Sequence, residues 1–334
     1  MPDRRKPPLE KTRRHNMKST QTELLPVTPS AIARASQRLR EGALVAFPTE
    51  TVYGLGADAS NTDAVANIFE AKGRPSFNPL IVHVSDITIA KRYAEWNAQA
   101  ENLAQAFWPG PLTLVLPRLA ATSLSSLVTA GAATVAVRVP AHPVAQRLLK
   151  QFDGAIAAPS ANPSGQISPT HAAHVIEGLG NTVSAVLDGG PCNVGLESTI
   201  VGIENAGTML RLLRPGGLAR EDIEQHLGVA LETYQTPGLI SAPGQLASHY
   251  SPKARLRLNA TDWTDDENRL GFGDVACDLN LSTSGNLSEA AHNLFHFLHL
   301  LDSGPATIIA VSPIPEIGLG QAINDRLRRA AAPR

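Results

Sequence analysis

Lys72 and Arg74, two cations one glycine apart in KGRPSFNPLIVHV, sit where a helical stretch breaks and can meet anions once the chain bends back. Asn78 follows between the break and a strand. His83 interrupts that otherwise apolar strand, where a charged imidazole is costly without a partner, so it is either a satisfied core histidine or a ligand to something bound. Thr49, Glu50, Thr51 and Tyr53 directly follow another short apolar run, in FPTETVYGLGADA. In TVAVRVP, two-residue alternation puts Thr134 and Arg138 on one face of a strand, and an inward arginine needs an anion or a carboxylate. APSANPSGQISPT supplies Ser160, Asn162, Ser164, Ser168 and Thr170. Ser168 and Pro169 read as the N-cap and first residue of a helix, whose free N–H groups among hydroxyls can hold an anion without a charged side chain. GLESTIV and RLLRPGG add Glu197, Ser198, Thr199 and Arg214. Each group also has a plain structural reading: hydroxyls capping turns, surface charges at a helix end for Lys72 and Arg74, a protein salt bridge for Arg138. His292, His296 and His299 recur at helical spacing, which suits metal binding, but the interleaved apolar residues and the lack of a cysteine or carboxylate motif favour a helix face with no metal.

The familiar catalytic devices are missing. No P-loop occurs, and GLGADA, GFGDVA and GLGQAI all lack the third glycine of a dinucleotide fingerprint. There is no HExxH and no GxSxG. The chain of 334 residues suits two domains, with 43% apolar and 18% charged residues and no apolar run long enough to span a bilayer. Net charge is −1, so any anion site must be built locally rather than from a global field. Cys192 and Cys277 are too few and too far apart for a disulfide framework or a zinc site, which fits free thiols in a reducing cytoplasm.

The elements that must position these groups are short. Ile32, Ala35 and Leu39 mark a helix stopped by Gly42, then a strand at 44–47; Asn61 or Thr62 caps a second helix that ends at Gly73 and Pro75. Short β-rich runs follow, interrupted by helical stretches at 87–107, 143–152 and 169–178. STIVGIENAGTMLRLLR reads as a hairpin, so a mixed sheet with antiparallel pairs is expected. Beyond a Pro/Gly/Ser-rich stretch, strands and two amphipathic helices alternate as in a small α/β domain with parallel neighbours. The expected organisation is a basic, Pro-containing disordered tail at 1–22, a catalytic domain at 23–230, a linker or lid at 231–252 and a C-terminal domain at 253–334.

Taken together, PTETVYGLGADA, KGRP with NPLIVHV, WPGPLTLVL, VAVRVPAHPVAQRLL, APSANPSGQISPT, LDGGPCNVGLESTIV and LLRPGG resemble the threonylcarbamoyl-AMP synthase family, in family order across about residues 30 to 225. The linker and C-terminal tail resemble its two-domain form, although Ser248 stands where that family usually carries a basic residue before His-Tyr. The resemblance implies a YrdC-like α/β fold, a twisted mixed sheet with helices forming a concave cleft, plus a small Rossmann-like C-terminal domain. It implies that L-threonine, bicarbonate or CO2, and ATP with Mg2+ give threonylcarbamoyl-AMP and pyrophosphate, for tRNA modification. By this resemblance Thr49, His83, Arg138, Ser160 and Ser198 contact threonine, with Arg138 on its carboxylate. Lys72, Arg74, Asn78, Thr134, Asn162, Thr170 and Arg214 hold ATP, Lys72 and Arg74 neutralising phosphate charge, and Tyr250 closes over the nucleotide. The implied partners are a downstream threonylcarbamoyl-transferase machinery and a possible tRNA contact. Two rival readings are a related hydrogenase-maturation carbamoyltransferase, disfavoured by the absence of Cys pairs, and a non-catalytic double-stranded RNA-binding module, disfavoured by near-zero charge and few aromatics.

Overall fold

The protein is described from a computed structural model covering residues 21–204, 207, 209–233 and 248–333. Most of the expected basic tail, residues 1–20, and the middle of the expected linker, residues 234–247, lie outside the described residues. The chain begins with β1 (Glu23–Pro26), α1 (Pro29–Arg40), β2 (Val45–Phe47), β3 (Gly54–Asp58), α2 (Thr62–Lys72) and β4 (Ile81–His83). It continues through α3 (Ile87–Ala90), α4 (Ala98–Phe107), β5 (Leu112–Pro117), β6 (Thr134–Arg138), α5 (Pro143–Phe152), β7 (Ile156–Ala157) and α6 (Ala172–Leu179). Then come β8 (Ala185–Asp188), β9 (Thr199–Glu204), β10 (Met209–Arg214), α7 (Arg220–Leu227) and β11 (Glu232–Thr233).

Among the described residues these strands form one sheet in the order β1-β8-β2-β3-β7-β4-β6-β5-β9-β10-β11. The sheet is mixed, as expected: β4 runs parallel to β6, β5 antiparallel to β6, and β9 and β10 form the expected antiparallel pair. One face is covered by α1 and α5, whose Ile32, Leu39, Leu148 and Leu149 pack with Leu25, Val45 and Phe47. Val65 and Ile68 of α2 and Leu103 of α4 belong to the main core with Leu55, Val82 and Leu114. Each such fully buried large side chain contributes about 1.5–3 kcal/mol. The two faces alternate along every strand, so burying one set leaves His83 and Arg138, register partners on β4 and β6, side by side on the other.

Local chemistry fixes the ends. Asn61 caps α2 by accepting from the Asp63 and Ala64 amides, and Gly73 ends it in the left-handed region at φ 58, so the chain reverses between Lys72 and Arg74. The stretch 87–107, expected as one helix, is two: Asp86 caps α3 and Asn97 caps α4, and between them Ala94 bridges to Arg118. The helix expected from Pro169 begins instead at Ala172, with His171 at its N-cap and no side-chain capping bond.

The second unit contains β12 (Arg255–Arg257), β13 (Glu267–Gly271), β14 (Leu279–Asn280), α8 (Leu287–Asp302), β15 (Ile308–Val311) and α9 (Leu319–Ala331). Its four strands lie in the order β12-β15-β13-β14, and all three pairings are parallel, a small Rossmann-like arrangement. Its core, built on Leu294, Phe295, Ile309 and Ile323, is continuous with Val52, Ile167 and Leu196 of the first unit. The second unit therefore seats against the loops after β2, β7 and β8.

Candidate active site

A small cavity of about 50 Å³ opens where those loops meet the sheet, lined by Thr49, Thr51, Arg74, His83, Arg138, Ser160, Glu197, Ser198, Arg214, His249 and Tyr250 among others. Its floor is the polar end of the β4–β6 register. Arg138, 3% exposed, donates to Glu50 at 2.6 Å, to Thr51 Oγ1 at 2.9 Å and to the Gly110 carbonyl at 3.2 Å. The salt-bridge reading of Arg138 is thus realised, with Glu50 as partner. His83 Nδ1 lies 3.2 Å from the Ile81 carbonyl, so that nitrogen carries the proton and Nε2 is left as an acceptor. Burial, helped by the Arg138 charge, pushes His83 down to about 3, so the ring is neutral at physiological pH. Ser198 joins the floor through a 2.7 Å hydroxyl contact with Thr113, a neighbour that the alternating run PLTLVL hides among apolar residues.

Among the described residues, Lys72 and Arg74 at the rim are held without carboxylates. Lys72 is 4% exposed, and its ammonium donates to the carbonyls of Ser160, at 2.6 Å, and Asn162. Arg74 donates to the carbonyls of Asn78, at 3.2 Å, and Pro79, at 2.9 Å. Neutral acceptors do not offset the burial of charge, and both groups respond: burial, then the Arg74 charge, holds Lys72 well below its ordinary value, and burial brings Arg74 down to about 10. Asn78, fully buried beside Arg74, has no partner among the described residues for either side-chain amide atom, and Asn162 Oδ1 has none among them either. Under-compensated buried cations are what a polyanionic ligand would complete, and of the unsatisfied amide atoms only Asn78 Nδ2 is a donor that an anion can satisfy. Arg214 donates to the Ser198 carbonyl and hydroxyl at 2.8 and 3.2 Å.

The roof comes from the second unit. Glu197 accepts from Ser168 Oγ at 2.5 Å and from Arg326 Nε at 2.8 Å, and its carboxyl is lowered despite burial by the Arg326 and Arg214 charges. Arg326 stacks on Tyr250 at 5.1 Å from the ring centre, and Tyr250 also packs on Phe295. Tyr250 sits in the left-handed region at φ 63, an uncommon place for an aromatic residue, and is 1% exposed. A side chain held there by packing on both sides marks a functional position more readily than a stable one.

Of the residues expected from sequence, Thr49, Arg74, His83, Arg138, Ser160, Ser198, Arg214 and Tyr250 meet at the cavity, and Lys72 touches it through the Ser160 carbonyl. Four lie outside it. Thr134 shares the sheet face with Arg138, as alternation requires, but lines a separate depression of about 270 Å³ with Phe77, Pro79 and Ala136. Asn162 lines a separate groove with Gln166 and His174, Asn78 is fully buried, and the Thr170 hydroxyl contacts His171 at 3.2 Å. Ser168, expected as a helix cap, is a buried donor to Glu197, so the helix N-terminus is displaced from the site. Arg326 escaped sequence reasoning because in GLGQAINDRLRRAA it looks like one more exposed helix cation. No described helix is long and apolar enough to cross a membrane.

Comparison with known proteins places this geometry. Residues 37–216 match the Sua5/YciO/YrdC family model, described as telomere recombination, and residues 218–332 match the model of the threonylcarbamoyl-AMP synthase C-terminal domain. The threonylcarbamoyl-AMP synthase of Bacillus subtilis is 40% identical over 94% of this chain and 96% of its own length. The chain belongs to the threonylcarbamoyl-AMP synthase family. The Pyrococcus abyssi threonylcarbamoyl-AMP synthase, also 40% identical, covers 88% of the chain and 92% of its own length. The crystal structure of P. abyssi Sua5 complexed with L-threonine superposes with a TM-score of 0.83 at 36% identity, covering 93% of this chain and 98% of that one. Both units of this threonylcarbamoyl-AMP synthase family member are therefore matched in one relative, and E. coli YciO, at 19% identity and a TM-score of 0.53, shares the fold over 58% of the chain.

Proposed function

We propose that the cavity and the rim beside it join L-threonine, bicarbonate or CO2, and ATP into threonylcarbamoyl-AMP and pyrophosphate, a nucleotidyl transfer. Threonylcarbamoyl-AMP synthesis is the activity of the family, and the observation that carries its placement is the pair Lys72 and Arg74, buried with carbonyl partners only among the described residues. A triphosphate supplies the missing anions. The cavity, about 50 Å³ as it stands, is lined by the groups a small amino acid needs, its carboxylate on Arg138 and its hydroxyl or amine on His83 Nε2, Thr49, Ser160 or Ser198, and it must widen to admit one. L-threonine is the ligand named for P. abyssi Sua5, which supports that choice. ATP then extends from Lys72 and Arg74 past Arg214, and Tyr250 must swing aside to admit it.

The chemistry asks the protein for placement and charge rather than a nucleophile. Threonine's amine adds to the carbon of CO2, a C–N bond forms and the amine proton leaves to solvent; a carbamate oxygen attacks the α-phosphorus as the bond to the β-phosphate breaks and pyrophosphate departs. The substrate provides its own nucleophile, so an acid–base pair is dispensable and holding two anionic reactants in line supplies the acceleration. The one carboxylate among the described residues lining the cavity, Glu197, is occupied by Arg326, and Glu50 behind it by Arg138, so neither is left as a dedicated ligand for Mg2+. Mg2+ fits as part of the ATP substrate, on phosphate oxygens and water, where it screens the triphosphate.

Pyrophosphate release, followed by a coupled assay with ATP, bicarbonate and L-threonine, tests this reading. It is expected only when all three are present, and equal release without threonine would overturn the synthase assignment.

A further inference from the structure

Away from the active site, α6 of the first unit meets α8 of the second across a nest of four imidazoles. His171 at the α6 N-cap and His174 one turn on face His296, with ring centres at 5.0, 4.3 and 5.5 Å for the three pairs. His299, one turn after His296, stacks on His174 at 3.9 Å. One nitrogen from each of His171, His174 and His296 falls within 4.8 Å of the others. His174 Nε2 and His296 Nδ1 are 3.5 Å apart. Two nitrogens bound at 2.0–2.1 Å to one tetrahedral ion stand about 3.4 Å apart, so no separation has to close by more than about 1.4 Å, within reach of imidazole rotation.

We propose that His171, His174 and His296 bind one divalent transition-metal ion of the zinc class, which clamps the C-terminal unit onto the first unit. Imidazole is the preferred donor for such ions, and three histidines with a water in the fourth position make a complete tetrahedral set. The surroundings supply the outer hydrogen bonds that orient such ligands. His171 Nδ1 contacts Thr170 Oγ1 at 3.2 Å, leaving Nε2 for the ion, and His299 Nε2 contacts the Ser168 carbonyl at 3.2 Å while its ring supports His174. His174 Nδ1 accepts a long 3.3 Å bond from the Thr170 amide; loading through Nε2 moves the ring proton to Nδ1 and gives that bond up. Burial and the neighbouring rings lower all three ligands, so they are neutral and available near neutral pH. The site lies apart from the cavity and does not depend on its assigned chemistry.

The test uses the full chain stripped with chelator and titrated with Zn2+ and, as a spectroscopic probe, Co2+. One ion per chain is expected, with the visible absorption of tetrahedral Co2+ and a higher melting temperature on loading. H171Q and H296Q, each replacing a ligand by a side chain of similar size, should weaken binding by about 10- to 100-fold or more while the metal-free proteins melt near the wild type. H226Q, removing a surface histidine bonded to Asn102 at 2.9 Å, should leave binding unchanged. Absence of stoichiometric binding by the wild type, an octahedral Co2+ spectrum, or equal affinity in wild type, H171Q and H296Q would overturn the proposal. If H171Q or H296Q fails to fold, H174Q and competition of Zn2+ against Co2+ in the wild type decide it.

Discussion

Replacing Lys72 by methionine separates the roles of the buried ammonium. Lys72 Nζ donates to the carbonyls of Ser160 and Asn162 and, among the described residues, has no carboxylate partner; burial disfavours its charge, and an incoming phosphate both takes up the remaining donor and favours the charged form. At an effective dielectric constant of about 20 and a separation of about 4 Å, one such charge pair is worth about 4 kcal/mol. At about 1.4 kcal/mol per tenfold, K72M should therefore lower kcat/KM for ATP by about 10²- to 10³-fold, part of the gross interaction being offset by desolvation. Stability should move little. Removing a poorly compensated buried charge is favourable, leaving two carbonyls without a donor costs about 1–3 kcal/mol each, and the two effects oppose. Pyrophosphate release as a function of ATP, beside urea denaturation of wild type and K72M, measures both. A folded K72M with an unchanged kcat/KM for ATP refutes the reasoning, as does a loss confined to the threonine KM.

Arg138 tests the other half of the cavity: R138K keeps the charge but loses the fork, and should raise the threonine KM by about 10- to 100-fold with the ATP KM little changed, for a charged hydrogen bond of about 1.5–3 kcal/mol. E197Q leaves Arg326 buried with Asp325 as its one charged partner among the described residues and should destabilise the protein by about 3–5 kcal/mol in urea denaturation, most of it recovered in E197Q/R326M; additive losses would show that the pair does not couple. His83 titrates near 6.5 in the unfolded chain but is pushed down to about 3 by burial in the folded protein. The unfolded state then binds the extra proton between those values, so stability falls as pH drops from about 6.5 toward 3. H83Q should flatten that part of the stability–pH curve, and an identical slope in the variant would contradict a buried neutral imidazole.

The readable part of the site was the part written in local sequence. KGRP combines a helix end, a glycine that adopts φ 58 and two cations, so the turn that gathers Lys72 and Arg74 could be anticipated without tertiary information. Alternation placed Thr134 and Arg138 on one face correctly, but a face is longer than a site, and four residues of β6 carry Thr134 into the neighbouring depression. Ser168-Pro169 has the form of a helix start, yet the Ser168 hydroxyl is taken by Glu197, a residue 29 positions away, and the helix begins later. Partners from different units were beyond local reading: Arg326 reaches Glu197 across 129 residues, and His296 reaches His174 across 122. On α8 the histidine spacing alone suggested only a half-buried helix face, because the complementary pair sits on α6.

The most direct measurement of the central claim is isotopic. With 13C-bicarbonate, L-threonine and ATP, mass spectrometry of the quenched reaction should show one 13C in an acyl-adenylate that also contains threonine, formed in step with pyrophosphate. AMP or pyrophosphate accumulating without that labelled species, at a rate indifferent to threonine, would contradict a cleft that joins the three substrates.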